Sequence, residues 1–162
     1  MTRDELIENL GTIAHSGSKA FLQQIRENAG NPSLIGQFGV GFYSAFMVGA
    51  QVTVYTRSYK PEETGWIWTS DGVNSYDIEP GLDLPRGTKV VINLKEGERE
   101  FSRAHRVEAI IKRYSNFVAF PIELNGNPIN TIRAIWMRSK SELTASDYEE
   151  FYKLISHDVE PS

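Results

Sequence analysis

Residues 36–46, GQFGVGFYSAF, set three glycines into six positions and run directly into an apolar segment of helical length. Glycine lets the backbone take positive φ and lets another object approach closely, while a helix that begins just after it offers unpaired N–H groups at the positive end of its dipole. Together these features can seat an anion, most often a phosphate. The same residues also suit a tight loop whose glycines only permit a turn and a close helix contact. The order G-x-x-G-x-G reverses the dinucleotide fingerprint, and no Lys-Ser/Thr pair follows as a P-loop requires, so neither familiar phosphate loop applies.

Other chemistry-bearing residues are sparse. Asn9 on a helix surface reads by itself as a solvated side chain, and Thr88, after Gly87 at a strand start, is a β-branched residue where one is expected. Lys19 could partner a phosphate, but a lone lysine on a short amphipathic helix reads as solvated and is left out of the site. His105 and His157 fall on polar helix faces without a second ligand at metal spacing, so no metal site is expected, and no residue is assigned a catalytic role.

The elements that must position these residues follow from periodicity. Thr2-Arg3-Asp4-Glu5 reads as a capping box ahead of a helix with Leu6, Ile7, Leu10 and Ile13 on one face. His15-Ser16-Gly17-Ser18 breaks that helix, a short one can re-form over residues 18–26, and residues 28–33 are loop by their Asn, Gly and Pro content. From Gly39, the spacing of Val40, Tyr43, Ser44, Met47 and Val48 predicts a buried helix ending near Gly49. The period then changes to two. Val52, Val54 and Thr56, then Trp66 with Trp68 as core and rim, residues 75–78 and residues 88–94 read as antiparallel strands joined by hairpin-like turns. A helix over about residues 102–114 follows, then a strand over 119–124 with Asn125-Gly126 as its turn. Beyond Asn130 come a short strand over 132–136 and an acidic helix capped by Thr144, so a domain boundary is placed after residue 130. Helices against one face of a mixed, mostly antiparallel sheet make an α+β protein built as a two-layer α/β sandwich.

Composition limits the partners. The 162 residues, 40% hydrophobic and 23% charged, are ordinary globular material for one domain and the edge of another. A net charge of −4 argues against a broadly basic surface for nucleic acid, and the absence of cysteine removes disulfides and thiolate metal sites. No apolar run approaches the roughly 18 residues a bilayer needs, and no membrane insertion is expected.

Several motifs in order carry a resemblance. Leu10-Gly11-Thr12-Ile13-Ala14, Ser16-Gly17-Ser18-Lys19-Ala20-Phe21, Ile35-Gly36-Gln37-Phe38-Gly39-Val40-Gly41-Phe42-Tyr43-Ser44 and Arg86-Gly87-Thr88-Lys89 look like the nucleotide domain of the heat-shock protein 90 chaperones. Residues 16–22, Tyr114-Ser115-Asn116-Phe117-Val118, Asn125-Gly126 and Ala134-Ile135-Trp136-Met137 resemble the family's mitochondrial member most closely. The resemblance implies a GHKL (Bergerat) ATP-binding fold, shared with type II topoisomerases, mismatch-repair ATPases and histidine kinases. It also implies a lid over residues 15–37, with residues 1–130 as the back part of the ATP-binding domain and 131–162 as the beginning of the middle domain.

By that resemblance, Gly36, Gln37, Phe38, Gly39, Val40 and Gly41 form the turn whose amides hold the terminal phosphates, and Phe42 meets the nucleotide through its backbone amide. Asn9 matches a polar contact to the nucleotide, Met1 a wall of the adenine pocket, and Thr88 a hydroxyl that reaches the adenine, partly through water. His15 departs from the family's usual Lys or Arg and removes a fixed cation from the lid's start at neutral pH. The family's water-orienting Glu, Mg²⁺-holding Asn and adenine-reading Asp are not found, because the match begins at the Met that ends their Gly-x-Gly-Met turn. The chain is therefore expected to be an N-terminally truncated piece of an ATP-driven chaperone. The parent would bind ATP or ADP with Mg²⁺, handle client proteins and dimerise through a C-terminal region. It would reside in the mitochondrial matrix, with the cytoplasm as the alternative. The other reading is a short, non-hydrolysing nucleotide-binding or interaction module, since phosphoryl transfer without those groups loses its main electrostatic support.

Overall fold

The computed structural model describes residues 1–11, 39–116, 118, 120–130, 139 and 143–156. They fall in two compact units, Met1–Arg103 and Ala104–Ser162.

In the first unit, α1 spans Arg3–Leu10. Its start is the reciprocal cap that the sequence implies: the Glu5 amide donates to Thr2 Oγ1 at 3.2 Å, and the Thr2 amide donates to the Glu5 carboxylate at 2.8 Å. The helix stops at Gly11, and Ile13 lies outside the described residues. The segment after the glycines differs from expectation. It is a 3-10 turn, Gly41–Ser44, followed by one α-turn, α2 at Ala45–Val48, and none of its residues is buried. Phe42, Ala45 and Phe46 pack on the core while Met47, on the other side, is 76% exposed, so only one stripe of the segment is covered. Its short second half is held at the far end, where Lys95 Nζ donates to the carbonyls of Phe46 and Met47 at 2.8 and 3.1 Å.

Four strands follow: β1 Gly49–Arg57, β2 Gly65–Ser70, β3 Tyr76–Gly81 and β4 Gly87–Leu94. Their order is β3-β2-β1-β4, and every pairing is antiparallel. Two connections are hairpins, as the alternation implies. The third is not, because β4 returns to the free edge of β1 rather than pairing with β3. The register explains how five residues suffice for that crossing. Gly81, Gly65, Arg57 and Gly87 lie in one row at the same end of the sheet, and residues 82–86 run across that end. There Arg57 Nη1 donates to the Leu84 carbonyl at 3.3 Å. The Leu84 side chain sits where side chains at Gly65 and Gly81 would clash with it.

Period-two alternation on β1 sends Val52, Val54 and Thr56 to one face. Beside them on that face stand Ser70, Trp68 and Trp66 from β2, and Ile92, Val90 and Thr88 from β4. Leu6, Val52, Val54 and Trp68 form the buried core, with Met1, Leu10, Phe42, Ala45, Phe46, Trp66 and Ile78 packed around it. Trp68 meets Phe42 and Phe46 edge-on at 5.6 and 6.4 Å between ring centroids and stacks on Tyr76 at 5.8 Å. Cover stops short of β4, where Val90 is 46% and Ile92 38% exposed on the helix-bearing face of an edge strand.

The second unit carries α3, Ala104–Tyr114, with a Glu108–Lys112 ion pair at 2.6 Å on its surface, and α4, Ala145–Ser156. Thr144 caps α4 as expected: the Asp147 amide donates to Thr144 Oγ1 at 3.3 Å and the Thr144 amide to Asp147 Oδ2 at 2.7 Å. Of the strand expected over 119–124, residue 119 lies outside the described residues, and the described part holds β5, Glu123–Leu124, paired with β6, Asn127–Pro128. Asn125 and Gly126, both at positive φ, make the turn between them. Pro121 has no N–H to give a ladder. The Asn130 side chain takes the ladder's place, accepting from the Ile122 amide at 2.6 Å and donating to the carbonyls of Val118 and Phe120. The strand expected at 132–136 lies outside the described residues. Among the described residues no helix is long and apolar enough to cross a membrane.

Two outcomes follow. Trp68→Ala removes the ring that α2 and the sheet share, so urea unfolding should show a loss of about 3–5 kcal/mol. Because the Val90 and Ile92 side chains on an exposed, unbroken edge invite pairing with other chains, light scattering should show association that Val90→Lys reduces.

Candidate functional site

Two groups of residues converge on the helix-bearing face of the sheet. The first is polar and lies at the Thr56 end of β1. Thr56 is 1% exposed, and its hydroxyl meets three groups: the Met1 ammonium at 2.7 Å, the Gly87 carbonyl at 3.2 Å and Thr88 Oγ1 at 2.8 Å. The antiparallel register explains this, since Thr56 stands directly opposite Thr88. Burial holds the Met1 ammonium below its ordinary pKa, against an opposing pull from Glu5 and Glu63. Met1 and Thr88, both named through the family resemblance, are thus joined through a residue that sequence reasoning passed over as strand alternation. Its signal was a hydroxyl at an inward position of an otherwise apolar stripe.

The second group is the turn after the glycines. Gly39 has φ +66, a conformation side-chain-bearing residues seldom adopt, whereas Gly41 lies outside the left-handed region and a Cβ there would meet nothing within 4 Å. Strain therefore demands glycine at 39. At 41 the chain itself makes no such demand, and the backbone is simply bare toward open space. Gly41 and Phe42 open the 3-10 turn, where a helix start leaves its first amides without helical acceptors. The Phe42 ring is committed to Trp68 and Phe46, so only its backbone is available to anything outside. Tyr43 ties this turn to the first helix by donating its hydroxyl to the Leu10 carbonyl at 3.1 Å, and burial raises its pKa.

Asn9 sits one residue before that junction, half-buried, and its Nδ2 donates back to the Glu5 carbonyl at 2.8 Å. What connects the two groups is apolar packing: Met1, Leu10 and Phe42 all rest on the Leu6, Val52, Val54 and Trp68 core. Gly36, Gln37, Phe38 and the expected lid over 15–37 lie outside the described residues. Trp66 and Trp68 point two buried indole N–H groups into this layer with no hydrogen-bond partner. No cluster among the described residues offers three His, Cys, Asp or Glu side chains to a metal ion.

The glycines can be separated experimentally. Gly39→Ala should lower stability by about 1–2 kcal/mol through left-handed strain, while Gly41→Ala should leave the urea midpoint unchanged.

Comparison with known proteins bears on what this layer is for. A family profile described as "Hsp90 protein" matches residues 124–162. Over 160 residues the chain is 51% identical to "Chaperone protein HtpG" of Desulfitobacterium hafniense (strain Y51), which covers 97% of this chain and 26% of that protein. It is 49% identical to "TNF receptor-associated protein 1 homolog, mitochondrial" of Dictyostelium discoideum, over 96% of this chain and 22% of that protein. To "Heat shock protein 75 kDa, mitochondrial" of Rattus norvegicus it is 48% identical, with the same coverage of 96% and 22%. The chain thus spans about a quarter of the length of these relatives. With about half of its residues identical along nearly its whole length, it belongs to the heat-shock protein 90 family.

Proposed function

We propose that the chain is part of an ATP-dependent molecular chaperone with a GHKL-type nucleotide site. The observation that carries this reading is the turn at residues 39–42: a glycine held at φ +66, then a glycine whose bare side faces open space at the start of a helical turn. Such a turn presents amides and a positive dipole end to an anion and has no side chain in the way. Bound ATP would be held by Gly36, Gln37, Phe38, Gly39, Val40, Gly41 and Phe42 at its phosphates, with Met1, Asn9 and Thr88 toward the nucleoside. It supplies the phosphoryl group whose hydrolysis drives the chaperone cycle, and the chain's own residues bind and orient it.

Within this reading residues 1–130 are the back part of the ATP-binding domain and 131–162 the beginning of the middle domain. The water-orienting Glu and the Mg²⁺-holding Asn belong to sequence outside this chain, as does the surface that makes the protein a homodimer. Client proteins and ATP or ADP are its partners. Two of the relatives are named as mitochondrial and one is bacterial, which supports the mitochondrial matrix with the cytoplasm as alternative.

A second reading, a nucleotide-binding or interaction module that does not hydrolyse ATP, applies to the chain taken alone. Two measurements test these readings. The isolated chain should release no phosphate from ATP above background, and magnesium-dependent turnover abolished by Gly39→Asp would count against that. In the longer protein, Gly41→Ala should weaken ATP binding by calorimetry without altering the circular dichroism spectrum. An unchanged affinity would leave these glycines with only a turn to make.

A further inference from the structure

We infer that Lys95 is a positioning residue for the glycine turn: by closing the far end of the helical segment 41–48, its side chain holds the turn at the near end in place. What the turn would hold rests on the nucleotide reading above. A helix leaves its last four carbonyls without helical donors. In this segment all four find partners, and a single residue beyond the end of β4 serves three of them. The Lys95 ammonium donates to the carbonyls of Phe46 and Met47 at 2.8 and 3.1 Å, and the Lys95 amide donates to the Val48 carbonyl at 2.8 Å. The fourth carbonyl, of Ala45, accepts from the Gly49 amide.

The segment cannot keep this shape by itself. It is one 3-10 turn and one α-turn, far short of the roughly 12–15 residues at which a helix becomes marginally stable alone in water. Its junction with β1 is closed by crowding as well, since a Cβ at Gly49 would come within 2.8 Å of both the Ala45 carbonyl oxygen and Ile92 Cγ2. The far end is thus fastened to the end of β4. Lys95 is itself exposed, so its donors rather than the burial of its stem supply the hold.

A contiguous set of contacts carries this hold back to the glycines. The Phe46 carbonyl accepts from the Lys95 ammonium, the Phe46 ring meets the Phe42 ring edge-on at 6.2 Å, and both rings meet Trp68. Gly72 lies so near the Phe46 ring that a Cβ there would come within 2.6 Å of it, which leaves the ring little room to follow a shifting backbone. Phe42 in turn sits in the 3-10 turn that the Tyr43 amide closes on the Val40 carbonyl at 3.2 Å and the Ala45 amide closes on the Phe42 carbonyl. Without the ammonium, the Phe46 and Met47 carbonyls turn toward water, and the turn that Gly41 and Phe42 open loses its far anchor.

The test has a ligand-free part and a ligand part, both on the whole chain. In the wild type at mildly acidic pH and low temperature, where lysine protons exchange slowly, scalar coupling across the hydrogen bonds should link Lys95 Nζ to the carbonyl carbons of Phe46 and Met47. Its absence overturns the inference, and this measurement decides even if a variant fails to fold. Lys95→Met keeps the stem and removes the donors. In it, hydrogen exchange at the Tyr43 and Ala45 amides should become about tenfold faster while the amides paired between β1 and β2 stay unchanged, and Lys95→Arg, which keeps charge and donors, should remain within about twofold of the wild type. Acceleration confined to Gly49 would leave Lys95 a local cap and overturn the positioning role, as would equal acceleration throughout the sheet or a loss in Lys95→Arg as large as in Lys95→Met. By calorimetry, ATP should bind Lys95→Met about fivefold more weakly than the wild type and bind Lys95→Arg as the wild type does. An affinity unchanged in Lys95→Met overturns the inference. If the wild-type chain does not bind ATP while the couplings and exchange behave as expected, the nucleotide reading fails for this chain and the positioning role stands.

Discussion

Strand β1 is the constraint on which the first unit depends. It is paired on both sides, to β2 and β4, and its inward residues Val52, Val54 and Thr56 are each essentially buried. Burying Val52 and Val54 beneath Leu6 and beside Trp68 stabilises the layer by about 1.5–3 kcal/mol per fully covered side chain. A one-residue slip would turn the whole stripe to the opposite face, so the register is fixed by the same burial. Once it is fixed, Thr56 faces Thr88, and the polar cluster at that end exists because the apolar core beside it exists.

The candidate site is thus composed of two solutions to backbone problems. At one end, glycine at positive φ lets the chain swing from loop into a 3-10 turn with little side chain near its amides. At the other, glycine at positive φ turns a carbonyl toward a buried hydroxyl at the start of an edge strand. Between them lies an aromatic cluster in which Phe42 serves packing with its ring and leaves its backbone for other use. This division lets one residue anchor the turn to the core with its ring while its backbone opens the 3-10 turn. The indole N–H groups of Trp66 and Trp68 are buried without a hydrogen-bond partner although Thr56 stands opposite Trp66, because the Thr56 hydroxyl is already engaged by Met1, Gly87 and Thr88.

The layer is uneven in its cover. Around Trp68 it is closed by Leu6, Phe42 and Phe46, whereas Val90 and Ile92 on β4 remain exposed beside it. The chain spans about a quarter of the length of its relatives. The same fact separates binding from hydrolysis in the proposed function. The turn and hydroxyl that would receive a nucleotide are in this chain, and the carboxylate and amide that would act on it are not.

Local patterns carried much of the architecture. The capping box at Thr2, the cap at Thr144, the strands around Val54, Trp68 and Val90, and the Asn125-Gly126 turn were legible because each depends on side-chain period, on a cap or on a turn's φ requirement within a few residues. Motif order alone identified the family, and Met1, Thr88 and the glycines were named through it. Tertiary structure decided the rest. The crossing of β4 to the far edge of β1 depends on space at Gly65 and Gly81 for Leu84, which no window of sequence contains. That Gly39 rather than Gly41 carries the positive φ is a property of how the turn docks, since both residues have the same chemistry in sequence. The helix expected after them shortened and stayed partly uncovered because only its Phe42, Ala45 and Phe46 side meets the core. Thr56 became part of the site only when pairing set it against Thr88, because a hydroxyl's role is fixed by the groups around it, and those come from Met1 and from a strand that begins 31 residues further on.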